Sequence, residues 1–187
     1  MTLEERSGAM TNMNAMIWLF PVLFMLHDFE EIILVEAWKK RYKSKLDRIK
    51  SGKLVFSGCD KTSAFSIGVA IEFLIFSLVT LLSSWRGTYS FWYVLFLGFT
   101  IHLIGHCLIC ILYKFYVPGV ITSILFLPWS LYILYTAYQS LSFNVAHIFI
   151  YAVTGIVAML LLIHALHGCM GMFEKALKKY EHYEKQI

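Results

Sequence analysis

Apolar stretches near 20 residues long recur along the chain and constrain its fold more than any other feature. A helix of about 20 apolar residues crosses the hydrocarbon core of a bilayer. Only 15% of the residues are charged, whereas soluble domains carry about 25%. The sequence therefore predicts an all-α integral membrane bundle of five transmembrane helices, forming a single domain over residues 1–187. The predicted spans are residues 14–38, 63–85, 89–116, 118–140 and 145–168.

The basic residues predict how this bundle lies in the membrane. Every Lys and Arg except Arg6 and Arg86 falls in the connection 39–62, at Lys114 or in the tail 169–187. Because Lys and Arg collect on the cytosolic side, we expect an N-terminus outside and a cytosolic C-terminus in the cell membrane. Orientation accounts for the basic excess, so we expect no nucleic-acid partner. The tail is predicted to form a short amphipathic helix at the interface.

The first apolar stretch is interrupted by the run "HDFEE", residues 27–31. His27, Glu30 and Glu31 are spaced so that their side chains share one face of a helix. A rise of about 1.5 Å per residue places this face in the cytosolic half of the bilayer. The same rise per residue places Glu72 of the second span and His102 and His106 of the third span at that depth in the bilayer. Three helices thus bring ionisable groups to one depth.

Such groups need neutralising partners, because a charge at the bilayer centre costs at least about 2.5 to 3.5 kcal/mol. A metal ion would satisfy several carboxylates at once, and imidazole suits zinc and iron. We therefore predict a divalent metal ion, zinc or iron, as the cofactor. A hydrogen-bonded network that joins the helices and a proton or ion pathway are the alternatives. The predicted ligands are His27, Glu30, Glu31, Glu72, His102 and His106.

Further polar residues near this level are possible additions to the site. Cys110 lies one turn beyond His106 on the same face, although a small buried cysteine is more commonly a core residue. His164 and His167 either complete the site or extend towards the headgroups. Tyr116 either belongs to a structural corner or donates a hydrogen bond into the site. Asp28 is expected to face elsewhere on its helix, where it either has a structural partner or supports the ligands without binding the ion itself.

Three motifs in this order resemble a known family. They are "HDFEE" at residues 27–31, the pair His102 and His106, and the corner "YVPGVIT" at residues 116–122. The chain thereby resembles the bacterial membrane proteins named for their HXXEE motif. The resemblance implies that the polar motifs form a catalytic or metal site, and it supplies no substrate. The residues it implies for the functional core are His27, Glu30, Glu31, His106, Tyr116, Pro118, Gly119 and Thr122.

We expect a metal-dependent enzyme that acts on a lipid or another apolar substrate from the cytosolic leaflet. In this hypothesis Glu31 or Glu30 is the catalytic base for water on the ion, whose pKa zinc lowers to about 7. One zinc would give a hydrolase, while two irons would give an oxidase of the carboxylate-rich helical type. The alternatives are a metal-free acid/base lipid isomerase and a proton- or metal-coupled transporter. Membrane lipids are the other expected partners.

Overall fold

The computed structural model describes residues 13–49, 62–141 and 143–183, and these residues form helices and connections with no strand. The predicted all-α fold is confirmed. A short helical segment over residues 13–17 precedes the first long helix. The long helices of the described chain are α1 (Leu19–Leu46), α2 (Thr62–Arg86), α3 (Ser90–Tyr113), α4 (Val120–Leu141) and α5 (Val145–Tyr183).

Helix α1 continues well beyond the predicted end of the first span at residue 38. Residues 39–46 of the predicted loop are helical, because Lys and Arg favour helix and suit its C-terminal end. Lys40 also pairs with Glu36 one turn earlier, with 2.8 Å between Nζ and Oε1. Residues 50–61 of the predicted loop lie outside the described chain. At the other end, α5 runs on through residues 169–183 of the predicted tail.

The helices α2, α3, α4 and α5 are each long and apolar enough to cross a membrane. Large apolar side chains cover their outer surfaces: Leu74, Ile111 and Phe149 are 65%, 70% and 71% exposed. These features are those of a multi-pass membrane protein. Helix α1 is not among the four, because acidic residues interrupt its apolar sequence.

Aromatic side chains join the first three helices immediately beside the polar residues. Phe20 of α1 lies 4.6 Å from Phe76 of α2 and 5.1 Å from Phe96 of α3, between ring centroids. Phe24 and Phe99 continue this cluster with centroids 6.0 Å apart. His27 and His102 follow within one turn of those two rings. This packing therefore fixes α1 against α3 at the depth of the site.

The closest approach of α5 to α3 depends on two glycines. A Cβ atom on Gly155 would lie 2.6 Å from the Val94 carbonyl oxygen, and one on Gly98 would lie 2.9 Å from the Gly155 carbonyl oxygen. Small residues let helix backbones approach in this way within membranes. Helix α3 also packs against α2 and α4, while α1 packs against α2 and α4.

We predict that Gly155→Leu lowers stability, because the added side chain meets α3 backbone that cannot move aside. Overpacking of this kind costs about 1 to 3 kcal/mol. The measurement is the thermal unfolding midpoint of detergent-purified protein. Gly168→Leu is the matched control, since no atom lies within 4 Å of its Cβ position. Equal midpoints for the two variants would contradict this account of the α3–α5 contact.

Candidate metal centre

Two helices each place a pair of candidate ligand residues at a common point inside the bundle. His27 and Glu31 lie one turn apart on α1, and His102 and His106 lie one turn apart on α3. One ligand atom from each of the four residues lies within 4.8 Å of the others. His27, Glu31 and His106 are at most 5% exposed. The result is a compact set of three imidazoles and one carboxylate, in which only His102 is half-buried and the other three residues are buried.

His106 lies between the other members of this set. Its Nε2 is 2.8 Å from Glu31 Oε1 and 2.9 Å from His102 Nε2. His27 Nε2 lies 3.7 Å from the same oxygen of Glu31. Zinc bonds of about 2.0 to 2.1 Å in a tetrahedron separate neighbouring ligand atoms by about 3.3 Å. The observed separations are therefore close to those of a four-coordinate site.

Thr122 fixes which nitrogen of His27 faces this set. The Thr122 hydroxyl has one proton, and its Oγ1 lies 2.6 Å from Glu30 Oε2, a strong acceptor. His27 Nδ1 lies 2.9 Å from that same Oγ1 and so must donate to it. Nε2 of neutral His27 is then an unprotonated acceptor. It has no hydrogen-bond partner among the described residues, which is the state of a histidine ready to bind a metal.

Glu30 is bound to the start of α4 and does not join the set. Its carboxylate accepts hydrogen bonds from the backbone N–H of Thr122 at 2.7 Å and of Ile121 at 3.3 Å. The Tyr116 hydroxyl donates to it as well. Free N–H groups and the helix dipole favour an anion at a helix N-terminus. This geometry does not support the predicted roles of Glu30 as ligand and base.

The corner between α3 and α4 lies directly over the set. The Trp38 indole N–H donates to the Tyr116 carbonyl oxygen and holds the corner against α1. Gly119 has a φ of 88°, which favours glycine. A Cβ there would lie 2.9 Å from both Glu31 Oε1 and the His106 ring. The corner thus needs glycine both for its backbone and for its contact with two candidate ligands.

A cavity of about 370 Å³ lies beside the set, among α1, α2, α3 and α5. Its wall is mainly apolar, and no Lys or Arg lines it within the described chain. Volumes of 300 to 1,000 Å³ are usual for ligand pockets. The polar residues on its wall are Asp28, Glu31, Glu72, His102, His106 and His167.

Two acidic residues that the sequence singled out line the cavity but do not belong to the set of four. Glu72 lines it and is 8% exposed. Asp28 lines it too, so the expectation that Asp28 faces elsewhere is wrong. Its Oδ2 has no hydrogen-bond partner among the described residues, and it lacks the structural partner we expected at that atom. The spacing of residues along α1 alone could not show that α2 packs against it closely enough to enclose Asp28 in the cavity.

The possible additional residues differ in their positions. His167 lines the cavity, whereas His164 is exposed and does not. Cys110 Sγ donates to the Phe115 carbonyl oxygen at 3.4 Å, near the end of α3. Sequence reasoning missed Thr122 as the partner of His27, although Thr122 belongs to the corner motif that carries the family resemblance.

Comparison with known proteins identifies the family to which the chain belongs. A family model described as "Protein of unknown function with HXXEE motif" matches residues 18–133. The chain belongs to this HXXEE family. The match contains His27, Glu31, His102 and His106 together with the α3–α4 corner, and it ends within α4. Neither the curated proteins nor the solved structures give a match.

In this HXXEE protein we predict that Glu30→Ala destabilises the fold. The change removes the acceptor of several bonds at the α4 N-terminus, and hydrogen bonds to a charged group contribute about 1.5 to 3 kcal/mol each. Urea unfolding followed by circular dichroism measures the loss. Glu36→Ala is the matched control, because this glutamate of the same helix is 43% exposed and pairs with Lys40. A loss no larger than that of the control would contradict the capping role.

Proposed function

We propose that the protein is an intramembrane metal-dependent enzyme whose ion is held by His27, Glu31, His102 and His106. Zinc or iron is the proposed cofactor, since three imidazoles and a carboxylate suit both. Within the described residues these four form the one group with metal-binding spacing. That observation favours a single ion and hydrolytic chemistry over the two-ion oxidase.

The placement of this centre in a membrane depends on α1, which we propose as a fifth span. Its outward side chains at the depth of the site are apolar: Leu26, Phe29 and Ile33 are 47%, 46% and 69% exposed. Its acids Asp28 and Glu31 are buried. Polar residues of membrane helices face the bundle interior in this way. The proposed orientation, with the site in the cytosolic half, rests on the distribution of Lys and Arg.

The buried Nε2 of His27, which has no hydrogen-bond partner among the described residues, is the observation that carries the metal proposal. A second acceptor, Glu31 Oε1, lies 3.7 Å away, and two buried acceptors repel each other unless a cation or proton lies between them. Burying a polar atom without a partner is costly. A divalent ion removes that cost and uses the tautomer that Thr122 fixes.

The chemistry follows from the ion and from the residues beside it. A zinc ion lowers the pKa of water to about 7 and polarises carbonyl groups. The four residues would fill a tetrahedral ion, so water would have to add as a fifth ligand from the cavity. Glu31 lines the cavity next to His106 and would accept the proton of that water through its carboxylate oxygen that is not bound to the ion. Gly119 contacts Glu31 and His106, and no residue of the α3–α4 corner lines the cavity. The reaction would therefore take place where the cavity meets the ligand set.

The cavity supports an apolar substrate that enters from the lipid. Leu160 lines the cavity and is 62% exposed, so the cavity wall on α5 reaches the outer surface of the bundle. Phe24, Phe65 and Val69 supply apolar wall from α1 and α2. In this proposal a lipid chain enters from the bilayer past Leu160 and lies along the apolar part of the wall.

We predict that detergent-purified protein contains about one zinc or iron per chain, and that His27→Ala and His106→Ala each abolish it. The measurement is elemental analysis by mass spectrometry after gel filtration. His164→Ala is the matched control, because this exposed histidine of α5 is outside the set. Metal-free wild type after repletion with zinc and iron would refute the metal centre. Acid/base catalysis without metal would then be the function to test.

We further predict that Thr122→Val weakens metal binding by 10- to 100-fold, the usual effect of losing the partner of a metal-bound histidine. The hydroxyl no longer accepts from Nδ1, so the tautomer of His27 is no longer fixed. Competition with a chelating dye measures the affinity. Thr122→Ser keeps the hydroxyl and should retain wild-type affinity. Wild-type affinity in Thr122→Val, or equal weakening by Ser and Val, would contradict this role of the hydroxyl.

A further inference from the structure

The cavity contains three hydrogen-bond acceptors that the candidate metal centre does not use. Asp28 and Glu72 line it from α1 and α2, and both are more than nine-tenths buried. No Lys or Arg lines the cavity within the described chain. Oδ2 of Asp28 has no hydrogen-bond partner among the described residues. Buried carboxylates without donors are costly, so this wall suits a ligand that supplies donors.

His167 of α5 is the third acceptor. Its Nδ1 lies 2.7 Å from the Ile163 carbonyl oxygen of the preceding turn. A carbonyl oxygen only accepts, so Nδ1 carries the proton and Nε2 of the neutral ring is an acceptor. His167 lines the same cavity as the two acids. Three helices therefore present acceptors to one space.

The charges on this wall indicate a cation. Asp28, Glu31 and Glu72 are three acids on this wall, and Glu30 adjoins them on α1. When these acids are ionised, their negative charge exceeds the two positive charges of a divalent ion at the candidate centre, and unpaired charge in a region of low dielectric is costly. A ligand with a positive charge would offset part of that excess. An alkylammonium group has that charge and three donors, one for each acceptor.

We infer that the cavity binds a membrane-soluble primary amine, with its ammonium group at Asp28, Glu72 and His167. The inference rests on the proposed function, because it takes this cavity to be the substrate site of the enzyme. The hydrocarbon part of the amine lies along Ile163, Leu166 and Met170, which supply apolar wall from α5. The amine nitrogen is then held within the same cavity that His102 and His106 line.

Gly105 offers a way to test the cavity without touching these groups. It lines the cavity on α3, and no atom lies within 4 Å of its Cβ position. A leucine there would extend into the cavity space. Gly168 has equally open space around its Cβ position and does not line the cavity. The two glycines thus give a matched pair of variants.

The experiment measures binding of radiolabelled decylamine to the full chain in lipid nanodiscs, with empty nanodiscs as the blank and metal content determined on the same samples. We expect saturation near one decylamine per chain and at least 10-fold weaker competition by decanol. Glu72→Gln should weaken decylamine binding at least 10-fold with metal content unchanged. Gly105→Leu should abolish the binding, and Gly168→Leu should leave it intact.

The outcomes separate this inference from the proposed function. Equal competition by decanol, or wild-type affinity in both Glu72→Gln and Gly105→Leu, overturns the amine site even if one metal per chain is present. Selective amine binding that Glu72→Gln and Gly105→Leu weaken, in protein that holds no metal, supports the amine site and refutes the metalloenzyme. Asp28→Asn is the second charge variant, should Glu72→Gln fail to fold.

Discussion

The contact between Glu30 and the N-terminus of α4 is the interaction on which the site depends. A carboxylate from α1 satisfies backbone N–H groups of α4 that would otherwise lack partners inside the bundle. The same carboxylate accepts the hydrogen bond of the Thr122 hydroxyl, which leaves the hydroxyl oxygen as an acceptor for His27. One acidic side chain therefore joins two helices and also determines the protonation of a histidine next to the candidate centre.

This arrangement explains how adjacent glutamates of one motif take different tasks. Glu30 and Glu31 point about 100° apart around the helix, at 3.6 residues per turn. Glu30 reaches the backbone of α4, while Glu31 reaches His106. Gly119 then brings the corner within contact of both Glu31 and His106, so the α4 N-terminus that Glu30 holds also closes the centre. The motif combines a structural acid with an acid free to bind a cation.

Helical spacing and depth predicted which residues of three helices come together at this site. The level shared by the first three helices placed His27, Glu31, His102 and His106 together, as the structure does. Spacing did not distinguish Glu30 from Glu31, since both lie on the same side of α1 and their difference arises from α4. It also misplaced Asp28, because the rotation of α1 against α2 depends on side-chain packing. Helix α1 continues to Leu46, past the predicted end of the span at residue 38, because the basic residues of the predicted loop also suit the C-terminal end of an exposed helix.

The four candidate metal ligands and much of the apolar wall of the cavity come from different helices. All four members of the ligand set lie on α1 and α3, within the residues that the family model matches. Helix α5 lies outside that match and supplies the wall that contains Leu160, Met170 and His167. Changes on α5 would therefore alter the size and polarity of the space without disturbing the ligands. The close contact between Gly98 and Gly155 sets the distance between this wall and α3. It thereby also sets the position of the cavity relative to His102 and His106.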